Sequence, residues 1–269
     1  MTAFFQHFNF EFKTGIRNPG LMLMNYLLPL GFYAMMGAVM VKINPMFGDT
    51  LIPSMVIFTA MSTALLGMPS PMVEQRDAGI YRSYKINGVP ALSILMVPVL
   101  TTIFHSLIVS AIIILTANPL FGGLNPTNWW ALVWGSLLTV FTMGALGALI
   151  GVVANGVRST VLLAQAIYLP SILLGNMMVP LSVLPASLQP FSGLFPSTYA
   201  MTVFQHYAYG METTFDPLVS LLVLLAAILI AFILAWFLFS WDSQNQTRRG
   251  SPLLGLLALV PFIIGIILA

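Results

Sequence analysis

Seventeen residues, from Glu74 to Pro90, hold five of the chain's 16 charged side chains: Glu74, Arg76, Asp77, Arg82 and Lys85. Gly79, Ile80, Tyr81 and Tyr84 are interleaved with them. Tyr and Arg are the side chains that most often anchor one protein to another. Ile80 and Tyr84 are i,i+4 neighbours on a helix, as are Tyr81 and Lys85. Gly88 and Pro90 are stop signals, so the spacing predicts a short helix over 77–86. Such a segment reads either as a compact knob that a partner grips or as a solvated loop whose charges only fix orientation. Catalysis is not written in the chain. There is no G-x-x-x-x-G-K-[ST] phosphate loop, no H-E-x-x-H and no G-x-S-x-G. No cysteine is present, which excludes disulfides and thiolate metal sites. His105 lies in an apolar stretch without a carboxylate, poor support for an enzyme working inside a membrane.

The elements that carry these residues follow from composition. Of 269 residues, 59% are apolar and only 6% are charged, against about 25% charged in soluble domains. A single core stops growing at roughly 250–300 residues, so this much apolar surface must face lipid. A soluble enzyme, a disordered chain and a collagen-like fibre are excluded. Six uncharged stretches, 20–41, 51–73, 91–117, 129–154, 160–180 and 218–241, each reach the ~20 residues that a helical crossing needs. They are too long and too uniform for barrel strands. A seventh stretch, 253–269, is shorter and contains Pro261; it either crosses or dips in and stays on one side. The expected fold is all-α and polytopic. It comprises an arm over 1–19, a membrane domain over 20–241, a linker over 242–252 and the tail 253–269. The first stretch is long enough to anchor, so no cleaved signal peptide is expected.

Orientation follows from the connectors. With the N-terminus in the cytoplasm, the inner side holds Lys13, Arg17, Arg76, Arg82, Lys85, Arg158, Arg248 and Arg249, and the outer side holds Lys42 alone. Basic residues in short connectors serve topology, and there is no soluble basic face for nucleic acid. In the arm, Phe5, Phe8, Phe12 and Ile16 form one stripe on a helix, and Gln6, Asn9, Lys13 and Arg17 form a parallel polar one. That pattern predicts a helix lying in the membrane interface against lipid headgroups. Phe10 fits neither stripe, and the alternative is a frayed tail carrying topogenic charge.

A glutamate closing the second span, then Arg76-Asp77, Gly79, a basic helix and a Gly-Val-Pro exit, resembles the Glu- and Arg-rich segment of ABC-2 type transporter permeases. These are the membrane subunits of ATP-binding cassette exporters. The similarity covers about residues 1–245 and includes an amphipathic N-terminal helix, six spans and a long outer segment between spans five and six. It implies that 74–90 is a coupling segment that docks into a separate ATPase subunit. The coupling residues would be Glu74, Arg76, Asp77, Gly79, Ile80, Tyr81, Arg82, Tyr84 and Lys85. It further implies two ATPase copies carrying the ATP and Mg, no cofactor in this chain, a second permease copy or a paralogue, and a place in the cell membrane. Two departures stand out. Ile80 follows Gly79 where relatives often carry Thr, and the apolar tail is not part of the usual six-span unit.

The outer segment, 181–217, is apolar, aromatic and cut by prolines. Broken backbone at membrane depth must be covered by protein or water. Short re-entrant helices would satisfy this, and Phe195, Pro196 and Tyr199 are candidates for an outer gate or for a rigid lid. His105 near the middle of the third span either hydrogen-bonds a neighbouring helix or handles protons or substrate. Asn25, Gln165 and Asn176 read as interhelical hydrogen-bonders of the same kind. Gly144, Gly147 and Gly151 mark tight helix packing. The leading functional expectation is a permease subunit exporting a lipid-like, glycan-linked or hydrophobic substrate. The alternative is a self-contained secondary transporter or channel using His105, disfavoured by the absence of charge in the spans.

Overall fold

A computed structural model describes residues 2–242 and 250–268. Arg248 and Arg249 of the charge count, and Ala269 of the tail, lie outside the described residues. No strand occurs among the described residues. Among the described residues, six helices are long and apolar enough to cross a membrane: α2 (Pro19–Ile43), α3 (Phe47–Asp77), α5 (Ala91–Phe121), α6 (Trp129–Val153), α7 (Val157–Leu174) and α9 (Pro217–Leu238). Shorter helices sit around them, among them α1 (Thr2–Arg17), α4 (Ile80–Ile86) and α8 (Pro196–Val203). The chain then turns into a 3₁₀ segment, Pro252–Leu259, that continues as α10 (Val260–Leu268).

α3 and α6 form the centre. Their apolar stretches are 94% and 83% enclosed by the other helices, against 22% for α2 and α7. Leu51, Ile52, Met55, Ile57, Met61 and Leu65 of α3 are fully buried, as are Leu132, Val140 and Met143 of α6. The two helices meet through a defect in winding. α3 carries a wide π turn at Ser62–Gly67, just ahead of Pro69. A proline lacks the N–H of the helical ladder and its ring crowds the preceding turn, so a wider turn there relieves both conflicts. The carbonyl of Ala64 in that turn presses on Gly147 of α6, where an added Cβ would overlap it. Of the expected glycine face, Gly147 and Gly151 meet α3, against Ala64 and Met72, while Gly144 meets Val99 of α5. A second π turn, Leu23–Leu27 in α2, likewise comes just before Pro29.

Lys13, Arg17, Arg76, Arg82, Lys85 and Arg158 gather at one end of the bundle, the basic end. Lys42, Asp49, Glu212 and Asp216 belong to the helix ends and loops of the other. Several helix boundaries differ from the sequence expectation; the second span starts at Phe47 and not at 51, and the sixth ends at Leu238 and not at 241. The fifth span ends at Leu174, not at 180, because Gly175 and then Asn176, with a left-handed φ of 59°, turn the chain. The third span runs on through Pro119 to Phe121 before Gly122 closes it. The helix expected over 77–86 is broken: α3 continues to Asp77, Gly79 takes φ +74°, and α4 starts afresh at Ile80.

Replacing Gly147 with Leu is expected to destabilise the protein by about 1–3 kcal/mol through overpacking, read as a lower thermal midpoint in detergent. Gly31, with nothing within 4 Å of its Cβ position, should accept Ala without loss. Equal midpoints for the two variants would refute the close α3–α6 contact.

Candidate functional site

The charged segment is a knob made of the last turn of α3, a left-handed hinge and α4. Gly79 supplies the positive φ that lets α4 turn away from α3 with no intervening loop. Gly88, also left-handed (φ +73°), and Pro90 then lead into α5. The knob has two faces. Tyr81 and Arg76 point inward and are buried. Glu74, Asp77, Arg82, Lys85 and the apolar Ile80 and Ile86 are exposed, Ile86 at 80%.

Arg76 fixes the inner face. Its guanidinium donates to the carbonyls of Val152 (3.1 Å) and Ala154 (2.7 Å), with a longer contact to Gly151 (3.5 Å). Those carbonyls close α6, where the last turn has no helical donors of its own and the helix dipole favours a cation. Asp77 Oδ1 lies 3.6 Å from Arg76 Nε. Arg76 therefore joins the end of α3 to the end of α6 and is not part of the exposed face.

Two further attachments hold α4. Tyr81 packs on Phe239, just beyond α9 (5.9 Å between ring centroids), Arg82 pairs with Asp242, and Lys85 sits 5.9 Å from the Trp241 ring centre. On the other side, Tyr84 meets His7 of α1 edge-on at 5.0 Å. Gln75 donates to Glu11 at 2.9 Å, and Glu11 Oε1 lies 3.7 Å from His7 Nε2. Burial pushes the Tyr81 phenol well above its ordinary value; the charge of Glu11 adds to this and Arg76 opposes it. Tyr84 moves the same way, by burial and then Glu11. Both phenols are neutral at physiological pH. Their contribution to folding is complete below the unfolded value near 10 and is lost as pH rises through the folded values.

α1 has a third stripe, His7, Glu11 and Gly15, which is seated on the bundle together with Phe12 of the apolar stripe. His7 and Gly15 are buried and Glu11 half-buried, while Phe5, Phe10, Lys13, Ile16 and Arg17 stay exposed. Phe12 stacks on His105 at 4.8 Å, and Gly15 sits against its Nε2. His105 also shares a 2.6 Å hydrogen bond with Tyr26 of α2. α5 has 31 residues, roughly 46 Å of helix, so its start projects below the base of α2 and His105 lies level with α1. Its Nε2 has no hydrogen-bond partner among the described residues. A cleft of about 40 Å³ lies here, lined by Glu11, Asn25, Gln75, Thr102 and His105 among others.

The remaining sequence candidates are dispersed. Asn25 is buried beside Gly67 in the α3 π turn. Asn176 accepts from the Leu181 N–H (3.2 Å) and reaches Gln205 (3.4 Å); it shapes a turn and does not bridge spans. Gln165 Oε1 is buried without a hydrogen-bond partner among the described residues. Phe195 and Pro196 begin α8, and Tyr199 is fully buried, donating to the Phe262 carbonyl at 3.0 Å. Sequence reasoning missed Ile86, the most exposed apolar residue of the knob. It also missed His7, Glu11 and Gln75, although the 4,4 spacing of His7, Glu11 and Gly15 was visible.

A family model described as "ABC-2 family transporter protein" matches residues 41–237 of this chain, more than half of it. The match takes in α3 to α8 and nearly all of α9, with the knob inside it, and leaves out α1, most of α2 and the C-terminal tail. No curated protein matches the chain.

Arg76→Ala is expected to lower stability by about 1–3 kcal/mol by leaving the α6 carbonyls unpaired. Arg76→Lys should restore only part, because one ammonium cannot span the same set of carbonyls. Thermal unfolding in detergent reads both; an Ala variant as stable as the parent would rule out the cap.

Proposed function

The chain belongs to the ABC-2 family of transporter proteins, and from that premise we propose that it is an export permease whose motion is driven by a separate ATP-hydrolysing subunit gripping the exposed face of the knob. The observation that carries this reading is the knob itself. Glu74, Asp77, Ile80, Arg82, Lys85 and Ile86 offer a mixed charged and apolar surface at the basic end. Behind that surface, one handle is attached to most of the bundle. Arg76 ties it to α6, and Tyr81, Arg82 and Lys85 tie it to the end of α9. Gln75 and Tyr84 tie it to α1, and through Phe12 and His105 to α5 and α2. A push on α4 therefore moves helices as rigid bodies.

The basic end faces the cytosol by the excess of Lys and Arg there, which is where ATP is available. ATP and Mg belong to the partner, since this sequence has no phosphate loop. Two permease chains, identical or paralogous, and two ATPase subunits complete the transporter. The uncharged spans suit a lipid-like, glycan-linked or hydrophobic cargo better than an ion. The contacts of His105 with Tyr26 and Phe12 give it a packing role, which weighs against a self-contained carrier.

Ile86→Glu, and separately the double charge reversal Asp77→Lys with Arg82→Glu, should insert and fold normally. Each should reduce co-purification with the ATPase subunit and cut permease-stimulated ATP hydrolysis at least ten-fold in proteoliposomes. Unchanged hydrolysis and co-purification in both variants would overturn the coupling assignment.

A further inference from the structure

We infer that Pro252–Leu268 is a seventh membrane crossing that straps the outer helix α8 onto α9, leaving Leu268 on the side of the membrane opposite the knob. Length is the first argument. Seventeen residues of α-helix reach only about 25 Å, short of the ~30 Å hydrocarbon layer. Here, eight residues are wound as 3₁₀ and nine as α. At roughly 2.0 Å and 1.5 Å per residue this gives about 30 Å. The tighter 3₁₀ winding makes a short segment long enough.

The contacts of the two ends are the second argument. At the basic end, the Cβ position of Gly250 lies 3.1 Å from Leu238 and 3.2 Å from Phe237, where α9 finishes. That of Gly255 lies 3.2 Å from Val153, the last residue of α6 and next to the Arg76 cap. At the other end, Phe262 is buried against Tyr199 and accepts its hydroxyl hydrogen bond. Gly265 lies directly under the Tyr199 ring, and Ile266 Cγ1 is 2.5 Å from the Cβ position of Gly193. Gly193 also touches Phe215, two residues before α9 begins. The segment therefore runs antiparallel along the whole of α9.

Surface chemistry is the third. No side chain from Pro252 to Leu268 is polar. Ala258, Phe262 and Gly265 face the bundle, while Leu253, Leu256, Ile263, Ile264 and Ile267 are exposed. An interfacial helix needs a polar face for the headgroups; a segment apolar on all sides belongs in hydrocarbon. Its backbone bonds are largely internal, as lipid requires. The strap closes tightly over α8: any side chain at Gly265 would collide with Tyr199.

The chain has no cysteine, so single replacements report cleanly. In intact cells, a membrane-impermeant maleimide should label Leu268→Cys and not Ser83→Cys on α4, or the reverse, with both labelled after permeabilisation. In a Gly193→Cys, Ile266→Cys double variant, mild oxidation should form an intramolecular disulfide, seen as a mobility shift that reductant reverses. Labelling of Leu268→Cys on the same side as Ser83→Cys, its resistance in both conditions, or the absence of a cross-link would each overturn the inference. These readouts need no ATPase subunit, so they stand or fall apart from the proposed coupling.

Discussion

The arrangement at the basic end depends on one buried cation meeting one helix end. α6 is enclosed over most of its length, and its final carbonyls cannot all reach water. An unpaired carbonyl there costs free energy, as does an unpaired guanidinium. Arg76 and the close of α6 remove both costs together. The geometry also suits arginine specifically, since its planar fork reaches more than one carbonyl where an ammonium would favour one. Because Arg76 is one residue from the end of α3, this contact sets where α3 ends and where the hinge at Gly79 begins. The exposed face of α4 inherits its position from that anchor.

Rigidity and exposure are thus separated within one short segment. Residues facing inward are neutral aromatics or a paired charge, and they fix the knob to neighbouring helices. Residues facing outward are charged, with two isolated apolar side chains among them. Exposed ion pairs such as Arg82–Asp242 contribute little stability, but they restrict the orientation of α4. α1 adds a second route: its buried stripe connects the knob to the level of His105. The amphipathic arm is therefore both a surface element, through Phe5, Lys13 and Arg17, and an internal connector, through His7, Glu11 and Phe12.

The crossings were legible because hydrocarbon demands uncharged apolar runs of about twenty residues, which the proline-cut segment 181–217 interrupts. Their ends were less so. The fifth span reads as apolar through 180, yet Asn176 leaves the helix, and apolar periodicity carries no signal for a left-handed residue. The knob's break at Gly79 was visible as a glycine but outweighed by the helical spacing of Ile80, Tyr81, Tyr84 and Lys85. Arg76 looked like an exposed partner-binding charge, since only the approach of α6 shows that it turns inward. Ile86 was overlooked because an apolar residue at a helix end reads as burial. The tail was left open between crossing and dipping in, because a residue count carries no sign of 3₁₀ winding, which exceeds the α rise by about a third per residue.

The widened turn at Ser62–Gly67 places one surplus residue in the middle of α3. Deleting a single residue there would permit ordinary winding and leave the two halves of the helix in nearly the same phase, because the wide turn absorbs the surplus residue; the same deletion in regular α-helix would rotate everything beyond it by about 100°. Ala64 would no longer bulge onto Gly147, while Arg76 would keep facing the end of α6. The wide turn therefore tolerates one extra residue inside the membrane-embedded half without disturbing the alignment of the protruding tip, whereas a residue added or removed between Gly67 and Arg76 would turn the guanidinium away from α6.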